Sequence, residues 1–300
     1  VAFIGARLLA CLVYALAARG KWSALRLAER QEIVALSRAT PTFAGITILS
    51  SLHWQLAPVL LGKLSSEVAV AQYGVASRFL VPVTVLLASY TSVIQPEATR
   101  RATISSVALG QFLSRTLRVV VTLALPFVVG AWLLAREALT WLFGAPYADA
   151  APVLGLLAAS ALPLSLVVIV ARGLVAMNQQ RVDLWGNFVA VVTCCGLGAL
   201  LIPWYGASGA AAALLLSMLA LAGVEISYAA RSLFKIEIGT AVLHSGAPLL
   251  VMSWVVWQVR AWGLWNAIIL GATVYFALWG GIQEIKKQRM KGTASGNIEA

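Results

Sequence analysis

The sequence predicts an all-α protein, a polytopic bundle of about nine transmembrane helices, and three observations carry that prediction. The first is composition: 61% of the 300 residues are hydrophobic, 11% are charged, and mean hydropathy is +0.88. No water-soluble surface can be built from that balance. The second is run length: nine apolar stretches lie near residues 1–18, 42–62, 73–95, 116–135, 151–171, 182–203, 206–230, 239–258 and 262–282. Each approximates the roughly 20 residues a helix needs to cross a hydrocarbon core about 30 Å thick. Membrane-spanning strands would instead show alternating segments of about 10 residues. The third is charge: the cations collect in every second gap between runs.

Taken in order, gap one holds Arg19, Lys21, Arg26, Arg30 and Arg38. Gap three holds Arg100, Arg101, Arg115 and Arg118, gap five Arg172 and Arg181, gap seven Arg231 and Lys235, and the tail Lys286, Lys287, Arg289 and Lys291. The even gaps hold one cation each, Lys63, Arg136 and Arg260, so the division is 17 against 3. By the positive-inside rule the odd gaps and the carboxyl terminus face the cytoplasm. The net charge of +11 therefore reflects topology. Cations spread over many short loops without interleaved aromatics do not read as a nucleic-acid surface.

Between the first two runs lies the longest polar stretch, residues 19–41. Trp22, Leu25, Ile33 and Leu36 recur there at one-face helical spacing, with Arg26, Glu29, Arg30 and Glu32 on other faces. An amphipathic helix along the inner headgroups and a solvated connector both fit; either makes this stretch the boundary between two bundles. Cys11, Cys194 and Cys195 lie inside apolar spans, where free cysteines behave as small hydrophobes. The chain has no phosphate-binding G-x-x-x-x-G-K-[ST], no H-E-x-x-H, no C-x-x-C and no G-x-S-x-G, so no enzymatic activity, metal or cofactor is expected.

Three stretches carry a family resemblance. They are Tyr73 to Phe79 followed by Gln95-Pro96-Glu97, then Phe143 to Pro152, then Pro203 to Ala211. In this order among nine helices they resemble the carboxyl half of the multidrug/oligosaccharidyl-lipid/polysaccharide (MOP) exporter superfamily, in its polysaccharide or O-antigen (Wzx-like) flippase branch. The resemblance implies two lobes of six helices plus two additional helices. On that mapping residues 1–18 are the last helix of the amino lobe, 19–41 the connector, 42–232 the carboxyl lobe, and 233–300 the additional pair with a basic tail. Five further helices would precede Val1.

The loop motifs read as structural. Gly206 and Gly209 permit a tight turn, and Ala210 to Ala213 permit close helix approach. Trp141 and Tyr147 read as headgroup anchors around the turn 143–152. Glu97 is placed to pair with Arg100 and Arg101 at i+3 and i+4. Glu225, one turn from the inner end of its helix, fits an ion pair or a gate.

Two cations belong to no gap, Arg7 and Arg78. A charge at a helix centre costs about 2.5 to 3.5 kcal/mol on insertion scales, so it tends to face a partner or a wet cavity. Arg78 lies about 7 Å below the outer surface and Arg7 near mid-membrane, at about 1.5 Å per residue. Snorkelling to the interface also fits Arg78. Lipid II flippases of the same superfamily carry an arginine in the corresponding helix, which implies that Arg78 contacts a pyrophosphate with its planar fork. His53 and Gln55, polar among apolar neighbours, are candidates to contact sugar hydroxyls, and a satisfied core histidine fits His53 equally.

The resemblance implies a flippase that moves an undecaprenyl-pyrophosphate-linked oligosaccharide, an O-antigen, capsule or exopolysaccharide unit, from the inner to the outer leaflet of a bacterial inner membrane by alternating access. It implies the membrane potential or a coupled H+ or Na+ as energy source. It also implies membrane lipids, a polysaccharide polymerase and chain-length machinery as partners. A multidrug and toxin exporter of the same fold, or a non-transporting subunit of a polysaccharide assembly complex, are the alternatives. The first predicts cavity carboxylates, whereas Arg7 and Arg78 favour an anionic substrate.

Overall fold

A computed structural model describes residues 30–234 and 238–296, and every described element is helical. Two compact units divide between Thr42 and Phe43. Of the first unit, the described residues 30–42 form the opening turns of helix α1, Arg30–Leu64. Residues 30–40 contain neither Gly nor Pro, so nothing in them interrupts a helix. The described part of the polar stretch 19–41 is thus helical.

The second unit holds the bundle. After α1 come α2 (Glu67–Ser77), α3 (Leu80–Ile104), α4 (Ser106–Leu133), α5 (Ala135–Phe143), a 3-10 turn (Ala145–Ala150), α6 (Ala151–Ala159), α7 (Ala161–Ala176), α8 (Gln180–Ser232), α9 (Ile238–Val259), a 3-10 turn (Arg260–Trp262) and α10 (Leu264–Gly296). Six apolar segments of these are long enough to cross a membrane, with α2 and α3 counted as one bent span. The 53-residue α8 is in fact a hairpin. Gly206 has φ 53° and ψ −126°, which an L side chain adopts at a cost. A Cβ on Gly209 would run into the Leu201 carbonyl. Down the two legs Gly186 meets Leu221, Cys194 meets Ser217, and Asp183 meets Glu225. With both legs and α9, 22 residues without an Asp, Glu, Lys or Arg, eight spans follow one another through the described residues.

Two spans are broken, and proline explains both. Between α2 and α3 the axis bends by 41°. Pro82 has no N–H for the Arg78 carbonyl, which accepts from Val81 at 3.3 Å instead, so the regular ladder is lost there. Between α6 and α7, Pro163 likewise offers nothing to the Ala159 carbonyl, and Ser160 Oγ donates to the Leu157 carbonyl at 2.6 Å. Other ends are closed by side chains: Ser66 and Ser105 accept from the backbone N–H of Ala69 and Ala108, as N-caps do.

Helix α4 is central. Leu109, Leu113, Leu117, Val120, Ala124 and Val128 form its buried stripe, and it packs on α3, α6, α7 and α9. Helices α9 and α10 pack on each other and, mainly through α9, on α4, with a small core of their own, Leu134, Met252, Val256, Ala267 and Tyr275. Helix ends from alternate gaps gather together. Trp141 stacks edge-on against Trp265 at 5.1 Å, which brings gaps four and eight together. Trp204 and Tyr205 are exposed at the hairpin tip and the Arg260 guanidinium lies 3.6 Å over Trp257, so amphipathic aromatics mark the even-gap ends, where interfacial anchors belong.

Candidate functional site

A cavity of about 640 Å³ lies among α1, α2, α3, α7 and the second leg of α8. Helical spacing builds it. Val81, Thr84, Ala88 and Thr91 present one face of α3, and Leu164, Val168 and Arg172 form an i, i+4, i+8 stripe on α7. Its walls are mostly apolar, with Gln55, Tyr73, Ser77, Thr84, Thr91 and Arg172 as the polar groups. The hydroxyls of Ser77, Thr84 and Thr91 donate to the carbonyls of Gly74, Val81 and Ala88 at 2.8 to 2.9 Å. Their donors are thus spent on the helix, and their oxygens remain as acceptors. Gln55 and Arg172 supply donors. The set can take a ligand with many hydroxyls and a negative charge.

Among the described residues Arg172 is the only charged one in that lining, and its Nε, buried, makes no hydrogen bond with a described residue. Behind it lies a buried polar cluster. Asn187 Nδ2 donates to Asp183 Oδ1 at 2.6 Å and to the Asp183 carbonyl at 2.9 Å. The Asp183 carboxyl faces that of the fully buried Glu225, and the two side chains interact directly through a hydrogen bond. Arg172 is the cation acting on both. Charged groups in such surroundings are retained only in company, and here the company spans α7 and both legs of α8.

The residues singled out from sequence fall in different places. Gln55 lines the cavity. Arg78 occupies the bend between α2 and α3, flanked by the lining residues Ser77 and Val81; its own side chain is exposed and has no ion pair or hydrogen bond with a described residue. The neighbouring Phe79 ring is fixed edge-on against Phe143, 6.3 Å away. His53 is 1% exposed, with Nε2 2.7 Å from Ser217 Oγ, and is not in the lining. Arg7 lies outside the described residues. Glu97 binds Arg100 in two contacts of 2.8 and 2.9 Å and Arg101 at 2.6 Å, as its spacing predicts.

A sequence profile described as "Polysaccharide biosynthesis protein" matches residues 2–152, just over half of the chain. The chain belongs to this family. This member of the polysaccharide biosynthesis protein family is 29% identical over 177 residues to the succinoglycan biosynthesis transport protein ExoT of Rhizobium meliloti (strain 1021), covering 55% of the chain and 34% of that protein. Its fold is similar to that of the lipid II flippase MurJ in an inward closed conformation, with TM-score 0.72 and 16% identity over 84% of the chain and 54% of the flippase. The chain therefore spans about a third of the one relative's length and about half of the other's. The MOP resemblance and the all-helical fold agree with these likenesses.

Within this family member, Arg172 is the cavity residue that sequence reasoning assigned to a loop. It follows directly on the apolar run 151–171, so counting by gaps placed it among the topogenic cations. The available signal was its spacing: it continues the Leu164–Val168 stripe by one more helical turn.

Proposed function

We propose that this protein is part of a two-lobe flippase that carries an undecaprenyl-pyrophosphate-linked oligosaccharide from the cytoplasmic to the outer leaflet of a bacterial inner membrane, with the odd gaps and the carboxyl terminus in the cytoplasm. The observation that carries the reading is the cavity: hydroxyl acceptors for sugar hydroxyls, an amide and, among the described residues, a single charge that is positive. A pyrophosphate leaving water needs charge-assisted donors, and a guanidinium supplies two in one plane. Arg172 meets the head group from within the cavity, and Arg78 meets it from the bend, as Arg7 does from the amino lobe. Gln55 contacts the sugars. His53 holds α1 against α8 and so fixes the helix that presents Gln55. Rocking of the lobes then exposes the cavity to each side in turn while the polyprenyl tail stays in lipid.

An exporter of organic cations would need carboxylates lining the cavity. Asp183 and Glu225 are outside the lining and face each other, which weighs against that reading. A scaffold subunit has no use for the cavity at all. The experiment is complementation of a strain lacking the protein with the full-length Arg172→Ala and Arg78→Ala variants. Surface polysaccharide falls by about 10- to 100-fold at normal membrane level of each variant, the loss of one charge-assisted contact. Wild-type export by both variants overturns the assignment of the cavity to the head group.

A further inference from the structure

A groove of about 540 Å³ lies between α3 and α4, on another face of α3 from the cavity described above. Pro82, Leu86 and Tyr90 line it from α3 and Val119, Leu123 and Phe127 from α4, each set one i, i+4, i+8 stripe of its helix. The buried Ser165 of α7 closes its floor. The described lining holds no charged residue. Its two serines, Ser89 and Ser165, donate to the carbonyls of Val85 at 2.9 Å and Ala161 at 2.6 Å, so neither turns a donor into the groove. Leu86 is 71% exposed, and the groove is open to the hydrocarbon beside it.

The groove and the cavity share a wall. Leu87, 7% exposed, lines both, and on α7 Ser165 of the groove follows Leu164 of the cavity. They also come together at the 41° bend, where Val81 belongs to the cavity and Pro82 to the groove, with the exposed Arg78 one turn away. A cationic cavity with an apolar groove behind its wall suits the two parts of one amphiphile. Apolarity alone does not select the occupant, because lipid tails are as apolar as leucine and a chain gains little by moving from lipid to protein. The tether selects it: the chain of a head group held in the cavity has to leave, and linkage makes its entry into the adjoining groove an intramolecular step. From Pro82 to Tyr90 the groove is about 12 Å long at 1.5 Å per residue, so it takes the start of a long chain and leaves the rest in the bilayer.

We propose that the groove between α3 and α4 binds the isoprene units next to the pyrophosphate of the lipid-linked substrate, with the chain crossing α3 at the bend beside Arg78. This assignment rests on the transport reading above, and the experiment separates the two. The full-length protein is reconstituted in phosphatidylglycerol liposomes with an undecaprenyl-pyrophosphate oligosaccharide that carries a photoactivatable diazirine on its first isoprene unit. A parallel sample holds phosphatidylglycerol with the diazirine on an acyl chain. Adducts of the substrate probe concentrate on the peptides holding residues 82–90 and 119–127, and those of the phospholipid probe do not. The Val119→Trp/Leu123→Trp variant fills the groove at two positions that are exposed in the wild type, and it lowers the substrate adducts there by about tenfold. Substrate adducts spread over the lipid-facing helices, equal enrichment of the phospholipid probe in the groove, or an unchanged adduct yield in the variant overturns the proposal. Leaflet transfer of the substrate probe, followed in the same liposomes, judges the transport reading. Transfer with adducts outside the groove sinks this assignment and leaves that reading standing; adducts in the groove without transfer do the converse.

Discussion

Arg172 and Arg78 show what gap counting leaves out. Arg172 counts as a loop cation and lies in the cavity; Arg78 counts as intramembrane and lies at a bend with its side chain exposed. Hydropathy measures position along the membrane normal, whereas lining a cavity depends on the direction around the helix axis, which a run of uniformly apolar residues does not encode. The same blindness hides the Asp183–Glu225 contact, since 42 residues of sequence separate groups that the hairpin brings face to face. That contact makes a residue-scale prediction. Asp183 and Glu225 interact carboxyl to carboxyl through a side-chain hydrogen bond, which needs one proton held between them, and Glu225→Gln keeps a donor, an amide N–H, against Asp183. Stability in detergent, read by thermal or denaturant unfolding, stays within about 1 kcal/mol of wild type, whereas Glu225→Ala, which leaves Asp183 without that partner, loses about 1 to 3 kcal/mol. An equal loss in both variants would contradict a hydrogen bond between the two side chains.

At the scale of elements, the spans were legible because hydrophobic length is a property of consecutive residues. The run 42–62 lies within the span Thr40–Leu64, and the run 262–282 matches Leu264–Ile282 within two residues at its start. The tight turn at Gly206 was legible too, since a hairpin without a polar loop demands glycine. The 41° break at Arg78 was not, although its cause, Pro82, is in plain view. Proline in a transmembrane span can be accommodated by neighbouring groups, so its presence alone does not show whether a helix bends. The break turns Tyr73 and Ser77 of α2 and Thr84 and Thr91 of α3 into one cavity wall. Pro82→Ala restores a donor for the Arg78 carbonyl and favours a continuous helix. Straightening by 41° shifts Tyr73, about 7 Å from the break, by about 5 Å. Export falls about tenfold or more at normal protein level, because the wall is misplaced. Unchanged export would mean that the bend has no part in the site.

At the scale of the whole molecule, helix ends from alternate gaps gather together. Basic helix ends from gaps three and seven meet around one cleft, while Trp141, Trp265 and Trp257 gather at the ends of gaps four and eight. A cavity whose described lining holds one charge, the cation Arg172, lies in a chain of the polysaccharide biosynthesis protein family whose fold resembles that of a lipid II flippase. On the function proposed above, this cavity carries an anionic lipid-linked glycan across the bilayer. The most direct measurement reconstitutes the full-length protein in liposomes with a fluorescent undecaprenyl-pyrophosphate oligosaccharide in one leaflet, and follows its accessibility to a membrane-impermeant quencher. The account predicts transfer between leaflets by wild type, reduced to the protein-free rate in Arg172→Ala. Transfer at the wild-type rate by Arg172→Ala would contradict it.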